Sequence, residues 1–368
     1  MHRGARIFDS ETIFGIESVT IAGTSLRMTT TIVDIARFAK VSVGTVSKVL
    51  NNKGYVSSEL RTRVQDAIDR LNYRPSVSAR NMRRNRTDMV GLIVPQVQNS
   101  FYVQIINSIE SVAGERNMTL VLTNTGEQFE AEIRALRAFS SLRVAGLLLA
   151  TTGRLHERAL LKELDTFHDL QIPVTLIVRS LSSEIHDTVV LDNVGGARIA
   201  TNHLLEHGHS RIGIISSAPN TSSSLERIEG YKTALKAAGV GVDPSLIKVG
   251  ESSRDSGRSA VHELLALSPR PTALFVASNV QLIGAIRALK EMRLGIPDEI
   301  SVICFDDTEW ISLVQPPLTS VVPSADELAR RATDLLFRRM DGQMDIPATR
   351  EIVPTRLVVR ESVSPPRV

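Results

Sequence analysis

The chain has 368 residues, of which 42% are apolar and 23% charged, with a formal net charge of +3 and one cysteine. This length exceeds what one hydrophobic core usually supports, so two or three domains are expected. One cysteine excludes an intrachain disulfide and a cysteine-rich zinc site, and no apolar run reaches the roughly 20 residues of a membrane helix. The totals predict a cytoplasmic globular protein without a membrane partner.

The first 28 residues have the features of neither a signal peptide nor a transit sequence. They contain no continuous apolar core, and acidic residues appear early. They are predicted to be a disordered extension, or to precede a true initiator at Met28. The first folded domain is therefore expected to begin at residue 29.

Positive charge is concentrated in residues 29–87. This segment carries 12 basic and 4 acidic side chains, a net charge of +8, so the rest of the chain carries −5. A small basic module joined to a larger acidic one indicates a polyanion-binding domain attached to a body with a different role.

Two short helices are predicted in the basic module. The run Thr31-Ile32-Val33-Asp34 matches a capping box, and apolar side chains then recur at helical spacing. A break at Lys40-Val41 precedes Ser42, which can cap the second helix. The inward positions of this second helix are Val46, Val49 and Leu50.

The outward face of the second helix carries small polar side chains, which suit phosphate oxygens near a helix N-terminus. Lys48 can reach guanine O6 or N7, Val43 can contact a thymine methyl group, and Gly44 lets the backbone approach a base edge. These properties predict a helix-turn-helix that reads DNA. The candidate DNA-binding residues here are Thr31, Ser42, Val43, Gly44, Thr45, Ser47, Lys48 and Asn51.

Residues 29–75 resemble the DNA-binding head of the lactose-repressor/galactose-repressor (LacI/GalR) family of bacterial regulators. The resemblance is carried by VSVGTVSKVLN and by LNYRP before an Ala-Arg segment, and it continues to about residue 365. It implies that Val43, Gly44 and Lys48 read bases in the major groove. It also places Lys40 at a turn position that is often glycine in the family.

Residues 76–87 resemble the hinge helix of the same family, which orders on DNA and opens the minor groove at the operator centre. The resemblance implies that Met82 is the apolar wedge, where the family usually has leucine. Ala79 and Arg80 complete the candidate DNA-binding set of this segment. Without DNA, a segment so rich in arginine and so poor in apolar residues is predicted to be a disordered linker.

From Met89 onward, apolar runs alternate with amphipathic segments in two blocks. This alternation predicts an α/β body of two doubly wound parallel sheets with a cleft between them. The resemblance implies a periplasmic-binding-protein-like fold for residues 88–368, serving effector binding and dimerisation, with crossovers near positions 190, 320 and 347. The predicted strands are MVGLIVP, MTLVLTN, VAGLLLA and PVTLIV, then TVVLDN, RIGIISS, LIKVG, TALFVAS and ISVICFDD.

Ligands of such sheets bind beyond the carboxyl ends of the strands. The resemblance places Arg227, Asn279 and Asp306 at positions that bind sugar hydroxyls in relatives, whereas Val280 stands where the family commonly has an acid. A sugar, a sugar acid and another small carboxylate are therefore all compatible effectors. The candidate effector-binding residues are Pro95, Asn99, Phe101, Asn124, Arg179, Arg227, Asn279 and Asp306.

No GxSxG, P-loop or GxGxxG motif occurs, so no catalytic residue, metal or cofactor is predicted. The sequence predicts a sequence-specific repressor that binds double-stranded operator DNA and is released by a small-molecule effector. The C-terminal segment has no heptad repeat, which favours a homodimer over a tetramer. The alternatives are a corepressor-dependent regulator and a periplasmic solute-binding protein, and the basic head argues against the latter.

Overall fold

The computed structural model describes residues 30–50, 54–73, 87–153 and 155–367. The chain divides into two compact units, residues 1–83 and 84–368. The predictions made for residues 1–28, for Asn51 and for the hinge residues Ala79, Arg80 and Met82 lie outside the described residues.

The described residues of the first unit contain three helices: α1 (Ile32–Ala39), α2 (Val43–Leu50) and α3 (Ser58–Arg70). Each contributes one apolar face to a shared core, because apolar side chains recur every three to four residues. The predicted inward faces of α1 and α2 are confirmed. The buried core residues are Ile35, Ala36, Ala39, Val46, Val49, Val64 and Ala67.

The ends of α1 and α2 are capped as predicted. The backbone N–H of Thr31 donates to Asp34 Oδ2 at 2.9 Å, and the Asp34 N–H donates to Thr31 Oγ1 at 3.4 Å. At the start of α2, the Thr45 N–H donates to Ser42 Oγ at 3.1 Å. Lys40 ends α1 in the left-handed region, at φ 53° and ψ 49°, a conformation that costs a side-chain-bearing residue about 1–2 kcal/mol.

One basic residue of this unit has a structural role. The guanidinium of Arg63 on α3 donates to the carbonyl oxygens of Ala39 at 2.6 Å and Lys40 at 3.4 Å. These carbonyls lie at the C-terminus of α1, where no further helical N–H is available to pair with them. Arg63 therefore ties α3 to the turn between α1 and α2.

The second unit has two lobes, each built on a six-stranded sheet. The strands of the first lobe are β1 (Met89–Val94), β2 (Thr119–Asn124), β3 (Gly146–Leu149), β4 (Val174–Val178), β5 (Asp187–Leu191) and β11 (Arg350–Val353). They are parallel, in the order β11-β5-β4-β3-β1-β2. The helices of this lobe are α4 (Ser100–Glu115), α5 (Phe129–Leu142), α6 (Glu157–Asp169) and α11 (Ala325–Met340).

The strands of the second lobe are β6 (Ile212–Ser217), β7 (Ile247–Gly250), β8 (Ala273–Val276), β9 (Ser301–Phe305), β10 (Thr319–Pro323) and β12 (Thr355–Val358). Their order is β12-β10-β9-β8-β6-β7, and β12 is antiparallel to β10, which departs from the expected all-parallel sheet. The helices of this lobe are α7 (Asn193–Glu206), α8 (Ser222–Ala237), α9 (Arg254–Leu265) and α10 (Asn279–Glu291). Short 3₁₀ helices span Pro244–Leu246 and Glu309–Ser312.

Nine of the twelve strands in the described residues coincide with the predicted apolar runs. The interior strands β3, β4 and β8 are buried along their whole length, as expected for parallel strands covered on both faces. The sequence did not predict β10, β11 and β12. Strands β11 and β12 are partly exposed and polar, and β10 begins with Thr319 and Ser320, so none of them forms a continuous apolar run.

The chain passes between the lobes three times, at Asp192, Ser324 and Pro354. The first two positions agree with the crossovers expected near 190 and 320. The third was expected near 347 and lies at Pro354, so that expectation was wrong by seven residues. Pro354 alone separates β11 from β12, which belong to different sheets.

The later crossover has a physical cause in α11. The guanidinium of Arg339 pairs with the buried Asp187 at 2.7 Å and donates to four backbone carbonyls in the segment 343–347. The same Asp187 accepts the N–H of Thr349 at 2.7 Å. These bonds hold the segment on the first lobe until β11 has added to its sheet.

Glycine permits close backbone contact within two pairs of helices in the second lobe, α9 with α10 and α7 with α8. A Cβ atom on Gly284 of α10 would lie 1.8 Å from the carbonyl oxygen of Arg254 on α9. A Cβ atom on Gly230 of α8 would lie 2.3 Å from the carbonyl oxygen of Val194 on α7. Both helix pairs therefore need glycine to pack at this separation, and both begin at loops that line the cleft.

Candidate DNA-binding surface and effector cleft

Helix α2 is divided between a buried and an exposed face. Val46 and Val49 are buried in the core of the first unit. Val43, with 38% of its surface exposed, lies on the opposite face together with the exposed Gly44 and Lys48. The residues expected to read bases are therefore all accessible, whereas Thr45 and Ser47 are half-buried beside them.

The N-terminal ends of α1 and α2 are ordered by hydroxyl groups. Ser42 Oγ lies 2.9 Å from Thr45 Oγ1, and the Thr31 hydroxyl donates to Asp34 Oδ2 at 2.6 Å. The hydrogen bonds from the Thr31 side chain and backbone lower the pKa of Asp34, so the carboxylate stays ionised at the start of α1. Thr31 and Ser42 therefore hold the helix ends in place, and any phosphate contact they make is additional to that role.

The two lobes of the second unit are bridged by side chains at the carboxyl ends of their strands. Gln96, after β1, donates from Nε2 to the Ser252 carbonyl at 3.0 Å and accepts the Ser252 hydroxyl at 3.2 Å. Asn279 Nδ2, at the start of α10, donates to Asn99 Oδ1 at 2.7 Å. The cleft expected between the sheets is thus spanned by neutral polar groups.

Arg227 projects from α8 onto the end of β9. Its Nε donates to Asn193 Oδ1 at 2.9 Å, and its Nη1 donates to the Ala277 carbonyl at 2.7 Å. Its guanidinium carbon lies 3.6 Å from the centre of the Phe305 ring. Burial lowers the pKa of Arg227, and the negative charge of Asp306 opposes that shift.

Asp306 and Asn279 each have a buried oxygen that lacks a hydrogen-bond partner among the described residues. These atoms are Asp306 Oδ1 and Asn279 Oδ1. Burial raises the pKa of Asp306, and Arg227 and the Asn279 N–H oppose the rise. Because buried acceptors are rarely left unpaired, these two oxygens are suited to hydroxyl donors of a ligand.

The neighbouring Asp307 has a different role from Asp306. It pairs with Arg360 at 2.8 Å and accepts the Ser320 hydroxyl at 2.8 Å. Asp307 therefore joins the loop after β9 to the C-terminal segment. The sequence named Asp306 and not Asp307 as an effector-binding candidate, and the two side chains differ in their hydrogen-bond partners.

The guanidinium of Arg179 is already hydrogen-bonded to other residues of the protein. It forms two parallel hydrogen bonds with Glu127, at 2.7 and 2.8 Å, and a third with the Thr151 carbonyl at 2.9 Å. Both residues of this ion pair are largely buried, so removing one would leave an uncompensated charge at a cost of about 3–5 kcal/mol. Arg179 therefore anchors the loop after β2, and sequence analysis missed its partner Glu127.

Tyr102 is a further buried residue that the sequence did not single out. Burial raises its pKa to about 12, so the phenol stays protonated. Its ring contacts that of Phe101 edge to face at 5.9 Å between centroids. The charges of four ionisable groups act on Tyr102 electrostatically: Arg179, Glu127, Asp306 and Arg227.

The remaining candidates occupy the edges of this region. Pro95 is buried after β1, and Asn124 at the end of β2 accepts the Val97 N–H at 3.2 Å. Phe101 and Asp306 line a cavity of about 10 Å³. The structure therefore brings Phe101, Asn279 and Asp306 to the interlobe region, whereas Asn124 shapes an adjacent loop.

Two larger cavities flank the Gln96–Ser252 bridge. The asparagine chamber, about 280 Å³, is lined by Asn99 and Asn279, with Arg254 and Trp310. The glutamate chamber, about 450 Å³, is lined by Glu127, Glu130 and Glu251 and by residues of the loops after β2, β3, β6 and β7. Gln96, Ser252 and Ser253 line both chambers.

The loops that form the glutamate chamber were largely missed by sequence analysis. Gly126–Glu130, Ala218–Asn220 and Glu251–Ser253 begin one or two residues after the ends of β2, β6 and β7. The rule that ligands bind beyond the carboxyl ends of strands applies to all of them. The sequence analysis applied this rule to other strand ends and selected no residue after β6 or β7, so the signal was present but was used only in part.

A helix-turn-helix unit followed by a two-lobed α/β body with a polar cleft defines a DNA-binding regulator that has a ligand-binding domain. Residues 31–76 match the model of bacterial regulatory proteins of the lacI family. Residues 201–363 match that of the periplasmic binding protein-like domain. Within the described residues, no helix is long and apolar enough to cross a membrane.

The similar proteins are transcriptional regulators, and the similarity extends over nearly their whole length. The HTH-type transcriptional regulator GalS of Salmonella typhimurium is 36% identical over 91% of this chain and 96% of its own. The ribose operon repressor of Escherichia coli is 32% identical over 84% and 93%. An HTH-type transcriptional repressor PurR of Vibrio atlanticus is 33% identical over 84% and 92%.

Solved structures agree with the fold. The transcriptional regulator CelR in complex with cellobiose superposes with a TM-score of 0.69 at 31% identity, covering 91% of this chain and 100% of that one. The Lac repressor dimer bound to operator and the anti-inducer ONPF superposes with a TM-score of 0.79 at 25% identity, covering 92% and 100%. The chain belongs to the LacI family of bacterial regulatory proteins and is a DNA-binding transcriptional repressor.

Proposed function

We propose that two copies of this chain bind a palindromic operator and that a small hydroxyl-rich effector in the cleft releases them. The observation that carries this proposal is the cleft itself, in which buried acceptors of Asp306 and Asn279, near Arg227, have no partner in the described part of the chain. A regulator without an effector would have no reason to keep such groups buried, because each costs free energy.

The DNA side of the proposal rests on α2. Val43, Gly44 and Lys48 share one exposed face, as base contacts in the major groove require. Homodimerisation is supported by the Lac repressor relative, whose structure is an operator-bound dimer. A two-fold symmetric dimer presents two α2 helices and therefore favours an operator with two-fold symmetry.

The effector side rests on the combination of Arg227, Asp306 and Asn279. A carboxylate and an arginine can together pair with adjacent hydroxyl groups, and neutral amides complete their hydrogen bonds. The structure of a relative, CelR, contains cellobiose. These observations favour a carbohydrate over the other small molecules that the sequence left open.

The coupling of effector binding to DNA binding rests on the hydrogen bonds that join the two lobes across the cleft. The Gln96–Ser252 and Asn99–Asn279 hydrogen bonds exist only when the lobes are close together. A ligand that binds one arrangement of the lobes more tightly shifts the population toward it. By linkage, operator DNA must then weaken effector binding by the same factor by which the effector weakens DNA binding.

The first test is selection of bound genomic fragments by the purified protein at near-physiological salt, followed by titration of candidate sugars. Enrichment of a palindrome, and its release by a sugar, is the expected result. If the palindrome is enriched only when a ligand is present, the protein is a corepressor-dependent regulator. Salt-sensitive binding without any enriched sequence would overturn the proposed specificity.

A further inference from the structure

The glutamate chamber lies in the cleft but outside the cluster around Arg227. It is open to solvent and is lined by segments of both lobes, each following the carboxyl end of a strand: β1, β2 and β3 in the first lobe, β6 and β7 in the second. A cavity of about 450 Å³ at this position falls within the size range of small-molecule sites, about 300–1,000 Å³. Its position and size are those of a ligand subsite.

The lining of this chamber combines carboxylates, amides and an aromatic surface. Glu130, Glu251 and Asn220 are exposed toward solvent and supply hydrogen-bond acceptors and an amide donor. The rings of Phe129 and His156 lie 4.4 Å apart and form one wall. Flat apolar surface beside several hydroxyl-binding groups fits a sugar ring, which has an apolar face and a polar rim.

The charges in the chamber argue against an acidic ligand. Within the described part of the chain, neither Glu130 nor Glu251 has an ion-pair partner, and Glu127 is already paired with Arg179. A carboxylate placed beside two unpaired carboxylates would be repelled. Arg154 lies outside the described residues, so the experiment includes an acidic sugar as a direct test of this point.

The Gln96–Ser252 bridge divides the cleft between the two chambers. The asparagine chamber, about 280 Å³, is at the lower limit for a ligand site and matches one small ring. The glutamate chamber begins on the other side of the same two residues. A ligand longer than one ring would therefore extend from one chamber to the other past Gln96 and Ser252.

We infer that the effector is an uncharged carbohydrate of at least two sugar units, with one unit in the glutamate chamber between the Phe129–His156 wall and Glu251. This inference rests on the proposed function, since it names the ligand class of the same cleft. It distinguishes this protein from a sensor of single sugars or sugar acids. The second unit contributes affinity through Glu251 and through packing on Phe129.

The test is calorimetric titration of the full-length protein with three groups of probes. These are neutral disaccharides of the common linkages, the corresponding monosaccharides, and glucuronate and galacturonate. At least one disaccharide is expected to bind about tenfold or more tightly than its component monosaccharides. Tighter binding by a monosaccharide or by either uronate than by every disaccharide would overturn the inference.

Variants locate the second unit in the chamber. Glu251→Gln and His156→Ala are expected to lower the ratio of disaccharide to monosaccharide affinity about tenfold, since each removes a group that only the second unit reaches. Glu361→Gln, an exposed carboxylate of the C-terminal segment, is the matched control and should leave that ratio unchanged. An unchanged ratio in both chamber variants would place the second unit elsewhere and overturn the assignment.

The same titrations separate this inference from the proposed function. If monosaccharides bind and release operator DNA but no disaccharide binds more tightly, the protein is an effector-controlled repressor with a one-unit ligand. If no sugar changes operator affinity, the proposed function itself is wrong. A disaccharide that binds tightly and releases DNA supports both.

Discussion

Arg227 covers one face of the Phe305 ring, with its guanidinium carbon 3.6 Å from the ring centre, and Asp306 follows Phe305 directly. The arginine is held in this position by Asn193 and by the Ala277 carbonyl. The guanidinium is therefore fixed before a ligand arrives, which reduces the entropy lost on binding.

Replacing Arg227 with alanine is expected to weaken effector binding about 100-fold, because the substitution removes the positive charge nearest Asp306 and frees the Asn193 oxygen. Operator affinity should stay within about twofold of the wild type. Calorimetry and operator binding measure the two effects. Arg258→Ala, which breaks an exposed pair with Glu291, is the control, and an unchanged effector response in Arg227→Ala would refute the cleft assignment.

Asp306→Asn is expected to stabilise the protein at neutral pH. Burial raises the pKa of Asp306 above its value in the unfolded chain. The protonated carboxyl group therefore contributes to the free energy of unfolding at acidic pH. This contribution is lost as the pH rises through the raised pKa. At pH 7 the ionised carboxylate costs stability, and the amide should recover about 1 kcal/mol. Chemical denaturation at pH 7 and pH 4 tests this, because the gain should shrink at the lower pH.

The adjacent Asp307 provides the matched control for that experiment. Asp307→Asn removes the partner of Arg360 and should lower the free energy of unfolding at pH 7. Opposite signs for the two substitutions are therefore expected at neutral pH. A loss of stability in both variants would show that Asp306 is also held mainly by its contacts within the protein.

Lys40→Gly is expected to stabilise the helix-turn-helix by about 0.5–1 kcal/mol, because Lys40 has a positive φ of 53° that glycine adopts without steric cost. Lys40→Ala removes the same charge but keeps the unfavourable conformation, so it should not stabilise. Hydrogen exchange of the buried amides of α1 and α3 in the full chain measures the difference. Equal protection in the two variants would show that backbone strain at this turn is negligible.

Lys48→Ala should reduce discrimination at one operator base pair by about 1–3 kcal/mol, because Lys48 is exposed on the outward face of α2. Arg37→Ala, on the exposed face of α1, should instead weaken binding to all sequences similarly. Competition binding with single-base operator variants makes the comparison. A uniform loss in Lys48→Ala would assign this lysine to a phosphate.

Local sequence patterns were sufficient for the head. The capping box at Thr31 and the apolar spacing around Val46 depend on residues within a few positions of one another. The strand β12 was not predictable in the same way, because its pairing with β10 joins residues 32 to 38 positions apart. Its polar composition gives no local signal of burial or direction.

In the cleft too, the sequence could not predict which side chains are paired with distant residues. The sequence selected Arg179 and Asp306 because they follow predicted strands, and Asp306 also through the family resemblance. Yet Arg179 is paired with Glu127, whereas Asp306 has an oxygen without a partner among the described residues. Which charge is compensated depends on distant partners, and neither composition nor spacing records it. The family resemblance predicts the region, whereas only the structure shows which side chains already have partners within the protein.

The single residue between β11 and β12 restricts how the lobes can move. Because consecutive Cα atoms are 3.8 Å apart, Val353 and Thr355 can never be separated by more than about 7 Å. Each is fixed in its own sheet by strand pairing, Val353 to Leu191 and Thr355 to Pro323. Pro354 therefore acts as a pivot: the lobes can rotate about it to open or close the cleft, but they cannot slide apart.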